Sequence, residues 1–119
     1  MPNRLWIMVA GPYTSNTKDA ATRSANLRAL NQAALALFRM GHVPLIGVNL
    51  ALPIIDAAGA EAFHDILMPL SLSLTERCDA CLRIGGASRG ADEEVERFVA
   101  AGRPVYYRLE DVPPLRLHA

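Results

Sequence analysis

The sequence lacks an excess of charge of either sign. Twelve basic side chains balance twelve acidic ones, which gives a formal net charge of zero at pH 7. A protein that holds a nucleic-acid backbone or an anionic membrane surface needs a basic field, because phosphate contacts supply much of that affinity. The composition therefore disfavours a nucleic-acid polymer or a membrane surface as the partner.

Long hydrophobic runs are also missing. The apolar stretch near the N-terminus, LWIMVA at residues 5–10, is far shorter than the ~20 residues that span a bilayer, and no signal cleavage site follows it. Hydrophobic residues nevertheless make up 51% of the 119 residues, which is typical of a globular domain with a substantial core. We therefore predict one cytoplasmic domain over residues 1–119, with a loose tail at 110–119.

Cysteine is scarce, and the two that occur, Cys78 and Cys81, are spaced as Cys-x-x-Cys. Two cysteines are too few for a disulfide framework, and no second Cys or His pair has the spacing of a zinc site. A redox pair is normally exposed at the start of a helix, whereas these two lead into the apolar segment CDACLRI. We therefore predict buried thiols, no metal site and no cofactor.

The pattern that is present predicts strands alternating with helices. Strands are expected at residues 4–10, 42–48, 79–84 and 104–109, and helices at 18–40, 61–78 and 90–102. The middle helix is expected to break at Pro69, and NLALPIIDAAGA at 49–60 to be an irregular, unusually apolar connection. Such alternation implies right-handed βαβ units, so we predict an α/β fold. It would be a small flavodoxin-like or Rossmann-like three-layer sandwich with a parallel sheet of four to five strands.

Two glycine-containing loops follow the first and third predicted strands. They are GPYTSNTKD at 11–19 and GGASRG at 85–90, and in doubly wound sheets such loops meet where the strand order reverses. Glycine lets backbone N–H groups approach a phosphate or a sugar, but neither loop matches a dinucleotide or Walker fingerprint. The position favours a ligand site, while the loops taken alone also fit ordinary βα turns.

Acidic residues crowd the start of the helix predicted at 90–102, and such residues often only stabilise a helix N-terminus. At about 100° per residue, Glu93 and Glu96 point to solvent, whereas Asp92 and Glu94 lie at opposite edges of the buried stripe. That stripe is predicted to consist of Ala91, Val95, Phe98, Val99 and Gly102. An edge carboxylate in the first turn can reach the crevice, so Glu94 is the candidate catalytic acid.

Three segments resemble the nucleoside 2-deoxyribosyltransferase superfamily, which includes the 2′-deoxynucleoside 5′-phosphate N-hydrolases. They are AGPYT at 10–14, CDACLRI at 78–84 and SRGADEEVERFVAAGRPVYY at 88–107, and the resemblance covers residues 4–109. Ser88, Gly90 and Glu94 match the family's Ser/Asp-x-Gly-x-x-x-Glu segment. Gly102 and Pro104 match its later Gly-x-Pro turn.

This resemblance implies cleavage or transfer of the N-glycosidic bond of a nucleoside or a nucleoside 5′-monophosphate. By the same comparison, Glu94 is the nucleophile that attacks C1′ through an oxocarbenium-like state. The residues implied to bind the substrate are Gly11, Pro12, Tyr13, Ser88 and Gly90. The resemblance also implies a homodimer in which the neighbouring subunit helps to close the pocket.

The sequence departs from the family pattern at the second carboxyl group, which usually protonates the leaving base. The family commonly has an Asp in the helix before the third strand, and Ser71 occupies the corresponding position here. Asp65 and His64 lie farther upstream and are possible substitutes only if the break in the helix turns them toward the site. The alternative function is therefore a module that binds or senses a nucleotide without turnover, and a flavodoxin-like electron carrier is a third reading.

Apolar residues in the connection at 49–60 also predict an interaction surface. Leu50, Leu52, Ile54 and Ile55 stand where polar residues are usual, and 61–78 adds more apolar surface than one helix face can bury. A homodimer or a higher homo-oligomer would cover them. Alternatively, the connection folds over its own sheet edge as a lid.

Overall fold

Four parallel strands form one sheet in the computed structural model, which describes residues 4–14 and 19–115. Within these residues the strands are β1 (Trp6–Ala10), β2 (Val43–Leu45), β3 (Ala80–Arg83) and β4 (Val105–Tyr106). The helices are α1 (Ala20–Arg39), α2 (Gly47–Ala58), α3 (Phe63–Thr75) and α4 (Arg89–Ala100), with short 3-10 helices at Ala60–Ala62 and Leu109–Asp111. The predicted α/β fold, a small flavodoxin-like or Rossmann-like sandwich, is confirmed.

The central strand β1 shows why the fold has three layers. Ile7 and Val9 belong to a core cluster with side chains of α1, whereas Met8 and Ala10 belong to a second cluster with Phe98 of α4. All four β1 residues are at most 3% exposed, as the continuous apolar run predicts. Full burial of such a side chain contributes about 1.5–3 kcal/mol. The two clusters therefore hold helices against both faces of the sheet.

The order of the strands is β2-β1-β3-β4. Met8 of β1 pairs with Leu45 of β2 on one side and with Cys81 of β3 on the other. The chain moves outward from β1 to β2 and then returns to the far side of β1, so the order reverses between β1 and β3. A crevice beyond the carboxyl ends of these two strands is the usual ligand site of such a sheet.

Helix α1 begins and ends at residues that the sequence marks. The side chain of Asp19 accepts the backbone N–H groups of Ala21 at 3.2 Å and Thr22 at 3.3 Å, which satisfies two donors of the first turn. After the helix, Gly41 adopts a φ of +97°, a left-handed conformation that favours glycine. The chain then turns directly into β2.

The apolar connection predicted at 49–60 is wrong, because this segment lies largely in helix α2. Val48, Ala51 and Ile55 follow helical spacing and are buried. Pro53 lies on the exposed side of the helix. A proline inside a helix costs about 3 kcal/mol, which is comparable to the burial of two aliphatic side chains. The helix also takes over residues 47 and 48, which were expected in the second strand.

The break predicted at Pro69 is also wrong, since α3 is continuous from Phe63 to Thr75 and contains this proline. The interruption lies earlier, at Gly59, where a φ of +111° ends α2. Pro69 is exposed, and the helix packs through its other faces against α2 and α4. Packing on both sides therefore keeps the chain helical across the proline.

The tail expected to be loose packs against the domain up to residue 115. Val112 is 2% exposed and joins the core cluster of α1. The carbonyl oxygen of Pro113 accepts a hydrogen bond from His42, and the backbone N–H of Leu115 donates to the carbonyl oxygen of Met40 at 3.0 Å. Residues 116–119 of the predicted tail lie outside the described residues.

The two cysteines are buried free thiols, as predicted. Burial raises the pKa of Cys78 to about 11 and that of Cys81 to about 12. Because the thiolate is the reactive form, both groups are inert at neutral pH. They contribute to the core cluster on the α4 side of the sheet.

Candidate functional site

A cavity of about 260 Å³ lies beyond the carboxyl ends of β1 and β3. The structure therefore brings together the two loops that the strand order predicts to meet. Within the described residues the cavity is lined by Gly11, Tyr13, Thr14, Val48, Leu67, Met68, Ser71, Ala87, Ser88, Arg89, Gly90, Ala91 and Glu94. Most of the predicted site residues are among them.

Glycine allows the loops after β1 and β3 to approach each other closely. A Cβ on Gly11 would lie 2.8 Å from the carbonyl oxygen of Ile84, and a Cβ on Gly85 would lie 2.7 Å from Cδ of Pro12. Gly85 also has a φ of +76°, which side-chain-bearing residues rarely adopt. The contact places Pro12 behind the loop rather than in the cavity wall, so Pro12 supports the site without lining it.

Glu94 lies deeper than expected, on the buried face of α4 rather than at its edge. It is 9% exposed and aligns with Ala91 and Phe98, while Val99, predicted to be buried, is 64% exposed. The buried face of α4 is therefore rotated about the helix axis relative to the predicted one, toward Glu94 and away from Val99. Glu93 is exposed, as expected from its position on the opposite face. The buried carboxyl group faces the cavity, while its neighbour faces solvent.

Ser71 of α3 donates a hydrogen bond from its hydroxyl group to Oε2 of Glu94. Ser71 is only 2% exposed and lines the cavity together with Glu94. The other carboxyl oxygen, Oε1, accepts no hydrogen bond from the described residues, and no buried side-chain oxygen among them is without a partner. Oε1 is therefore accessible from the cavity.

The ionisation of Glu94 is set by opposing effects. Burial raises its pKa above the ordinary value of 4.5, whereas the Ser71 hydrogen bond and the charge of Arg83 lower it. Burial is the largest cause, so the net direction is upward. Such a carboxyl group takes up and releases its proton closer to neutral pH than an exposed one, which is common at functional sites.

Arg83, at the carboxyl end of β3, fixes the loop that leads to α4. Its guanidinium donates to the carbonyl oxygens of Ile84 and of Gly86, the latter at 2.9 Å, and lies 3.4 Å from the carboxylate of Asp92. The sequence analysis did not single out this arginine. Its position at the end of a strand next to the glycine loop was the available signal.

Ser88 caps helix α4 and lines the cavity. Its Oγ accepts the backbone N–H of Ala91 at 3.2 Å, and the side chain is 9% exposed. Arg89 and Gly90 form the first turn beside it, where helix N–H groups have no partner within the helix. The first turn therefore presents donors and a positive dipole end to the cavity.

Tyr13 reaches the cavity from the loop after β1. Its carbonyl oxygen accepts a hydrogen bond of 2.8 Å from Nδ2 of Asn26 on α1, and its ring stacks on Phe63 with centroids 6.4 Å apart. The predicted substitute acid Asp65, by contrast, is exposed and does not line the cavity. Residues 15–18 of the predicted loop lie outside the described residues.

The opposite wall of the cavity is apolar, and sequence reasoning missed it. Val48 comes from α2, and Leu67 and Met68 come from α3. Met68 also contacts α4, since a Cβ on Gly90 would lie 3.2 Å from its sulfur atom. They were missed because Val48 was expected at the end of the second strand and because α3 was expected to break at Pro69.

The chemistry of the lining is restricted. Glu94 is its one carboxyl group among the described residues, and no cluster of three His, Cys, Asp or Glu side chains in that part of the chain could hold a metal ion. None of the helices described is long and apolar enough to cross a membrane. The cavity therefore combines one buried carboxyl group, a capped helix start and an apolar wall.

A search of curated proteins found none with significant similarity to this chain. A family model matches residues 5–109, from the start of β1 to the end of the sheet region, and it therefore includes both loops and Glu94. Its description is a domain of unknown function, DUF1937. The match covers well over half of the chain, and the protein therefore belongs to the DUF1937 family.

Proposed function

We propose that this protein cleaves or transfers the N-glycosidic bond of a nucleoside or a nucleoside 5′-monophosphate, with Glu94 as the nucleophile. The observation that carries the proposal is the Glu94 carboxyl group, which is buried, held at one oxygen and open to the cavity at the other. A buried carboxylate stabilises a developing positive charge strongly, because little water screens it. The transition state of glycosidic cleavage carries such a charge at C1′.

The neighbouring residues fit the parts of such a substrate. Ser88 and the first-turn N–H groups of α4 supply donors for a phosphate or a sugar hydroxyl. The apolar wall, with Met68, and the ring of Tyr13 supply surface for a flat base. A cavity of about 260 Å³ is slightly below the usual range of small-ligand sites, so it suits a compact ligand.

The proposed reaction has two steps. Oε1 of Glu94 attacks C1′, the C1′–N bond breaks, and its electron pair stays on the base nitrogen, which takes up a proton. The resulting glycosyl ester is then attacked at C1′ by water or by a second base. The ester bond breaks, the carboxylate is restored, and the attacking group releases its proton.

This chain differs from the enzymes it resembles in the group that protonates the leaving base. Asp65 is exposed away from the cavity, and the hydroxyl proton of Ser71 is engaged by Glu94. The described lining offers no second carboxyl group. We therefore assign this proton to water at the open side of the cavity, which predicts faster release of bases that need little protonation.

The lack of a second acid in the described lining also supports a different class of function. A protein that binds or senses a nucleotide needs the pocket but no proton donor. Under this alternative, a protonated Glu94 would donate a hydrogen bond to the ligand. Tight binding of a nucleotide that survives prolonged incubation intact would favour the binding module over the enzyme.

Base release from a panel of deoxynucleosides, ribonucleosides and their 5′-monophosphates tests the enzyme directly. Chromatography should detect free base with the parent protein, and Glu94→Gln should lower the rate by about a thousandfold or more. Glu93→Gln is the matched control, because the same change on the exposed neighbour should leave the rate unchanged. Equal rates in Glu94→Gln and the parent would assign the chemistry to another residue.

We further propose a homodimer as the working assembly. Leu50 and Ile54 lie four residues apart on α2 and are 45% and 50% exposed, whereas Ile55, also expected at the surface, is buried. Light scattering should give a mass of two chains rather than the 12.9 kDa of one chain. Ile54→Asp should return the mass to that of one chain, and a parent mass of one chain would refute the dimer.

A further inference from the structure

The hydroxyl group of Ser71 makes an unusual choice of partner for a serine inside a helix. Such hydroxyls commonly bond back to a carbonyl oxygen of the same helix. Thr75, one turn later in α3, does this through a 2.6 Å bond to the carbonyl oxygen of Leu72. Ser71 instead donates across to Glu94 of α4.

We propose that Ser71 is a positioning residue that holds Oε2 of Glu94 and leaves Oε1 as the single oxygen able to attack the substrate. The inference rests on the proposed function for its catalytic part, whereas the contact between the two side chains stands by itself. An ionised carboxylate only accepts hydrogen bonds, so the serine hydroxyl must be the donor. One fixed bond removes rotation of the carboxylate and sets the direction of the free oxygen.

Gly47 at the start of α2 makes this arrangement possible. A Cβ on this residue would lie 2.1 Å from Oγ and 2.8 Å from Cβ of Ser71, far inside contact distance. The backbone of α2 therefore lies close to the Ser71 side chain, and only a residue without a Cβ fits at position 47. Three helices meet at this point, which gives the serine hydroxyl one well-defined position.

The charged and titratable groups near Glu94 determine how loss of the Ser71 hydroxyl would change its pKa. Arg83 of β3 favours the charged carboxylate, Glu93 on the same helix disfavours it, and the thiol of Cys81 beneath it is neutral at ordinary pH. Arg83 is already engaged by two carbonyl oxygens and Asp92. Removal of the Ser71 hydroxyl would therefore leave a buried carboxylate with one stabilising group fewer, and it would bind its proton more tightly.

Titration of the Glu94 carboxyl carbon by NMR tests the positioning without any substrate. Its signal can be assigned because it disappears in Glu94→Gln. In Ser71→Ala the titration midpoint should move to higher pH. Ser73→Ala is the matched control, since Ser73 is an exposed serine on the same helix, and its midpoint should equal that of the parent. An unchanged midpoint in a folded Ser71→Ala protein would overturn the inference.

The pH dependence of kcat/KM for base release supplies the second readout. In Ser71→Ala the acidic limb should move to higher pH by the same amount as the NMR midpoint. Above that limb kcat should still fall by about a hundredfold, with little change in KM, because the carboxylate is no longer oriented. A loss of rate with an unmoved acidic limb would show that Ser71 acts only through stability.

Gly47→Ala gives an independent disturbance, because it retains the hydroxyl and displaces it. It should move the Glu94 midpoint in the same direction as Ser71→Ala, which keeps the inference testable if one variant folds poorly. An unmoved midpoint in folded Gly47→Ala would contradict it. A shifted midpoint in Ser71→Ala, together with no base release by the parent, would support the contact and refute the proposed function.

Discussion

Buried polar groups differ between the amino ends and the carboxyl ends of the strands. At the amino ends, His42 is 2% exposed and both of its ring nitrogens form hydrogen bonds. Nδ1 accepts the backbone N–H of Leu5 at 3.1 Å, and Nε2 donates to the carbonyl oxygen of Pro113 at 2.6 Å. Arg103, also at the amino ends of the strands, donates to the carbonyl oxygens of Thr75 and Cys78. At the carboxyl ends, only one carboxyl oxygen of Glu94, Oε2, accepts a hydrogen bond from the described residues.

Under the proposed function, this difference separates structural polar groups from a catalytic one. A buried group whose partners are all present stabilises a single arrangement of the chain, as His42 does for the tail. Glu94 instead leaves Oε1 accessible from the cavity, where a ligand can bind it, and burial of its negative charge costs folding free energy. The polar residues at the amino ends of the strands therefore stabilise the fold, whereas the proposed function assigns Glu94 a chemical role.

His42→Ala should give the largest loss of stability. It leaves the backbone N–H of Leu5 and the carbonyl oxygen of Pro113 without partners and weakens the attachment of the segment after Val112, which together should cost about 3 kcal/mol. Urea unfolding monitored by circular dichroism measures the change. The exposed His64 is the control, and His64→Ala should stay within about 0.5 kcal/mol of the parent. Equal stabilities of the two variants would contradict a structural role for His42.

Gly47→Ala should have the next largest effect. Because the added methyl group would overlap Ser71, we expect a loss of about 1–3 kcal/mol, with a loss of activity that persists where the variant is fully folded. The control is Gly86→Ala, since no atom lies within 4 Å of a Cβ built on Gly86. If the two alanine variants unfold at the same urea concentration, the close approach at Gly47 is not what constrains the site.

Ser88→Ala removes the cap of α4 and should cost about 1 kcal/mol. If the hydroxyl and the first-turn N–H groups hold a phosphate, the variant should also bind a nucleoside monophosphate less tightly, with a smaller loss for the nucleoside. Calorimetric titration of both ligands into parent and variant measures the two losses. Equal losses would place the contact on the sugar instead.

Glu94→Gln should slightly stabilise the protein, and the gain should depend on pH. The pKa of Glu94 is raised in the folded state, so the folded protein holds its proton longer than the unfolded chain. The stability of the parent therefore falls as pH rises from about 4.5 through the folded-state pKa. Glutamine has no such titration, so the variant's advantage in thermal unfolding should grow as pH rises from about 4.5 through the folded-state pKa of Glu94. An advantage that is independent of pH would contradict this origin.

The sequence was sufficient for the parts of the fold that depend on local pattern. The apolar run of β1 and the alternation of elements predict the sheet, and the sheet predicts where the two loops meet. The pattern failed at Pro53 and Pro69, where burial of the surrounding helix faces outweighs the cost of each proline. That cost is visible in a sequence, whereas the compensating tertiary contacts are not.

The candidate site was predictable in part for a similar reason. The spacing of Ser88, Gly90 and Glu94 led to the residues that line the cavity. The depth of Glu94 was missed because the hydrophobic residue Val99 was placed in the buried stripe, although it is exposed. The contact between Gly47, Ser71 and Glu94 joins three helices that are distant in sequence, and no local spacing reports it.

Trapping the proposed glycosyl ester tests the central claim most directly. The parent protein should be mixed with the deoxynucleoside 5′-monophosphate that it cleaves best, quenched in acid within one turnover, digested and analysed by mass spectrometry. We predict that the mass of one deoxyribosyl phosphate group is added to the peptide that carries Glu94, and that Glu94→Gln shows no addition. Base release with no adduct on this peptide, or with an adduct on another residue, would contradict the account.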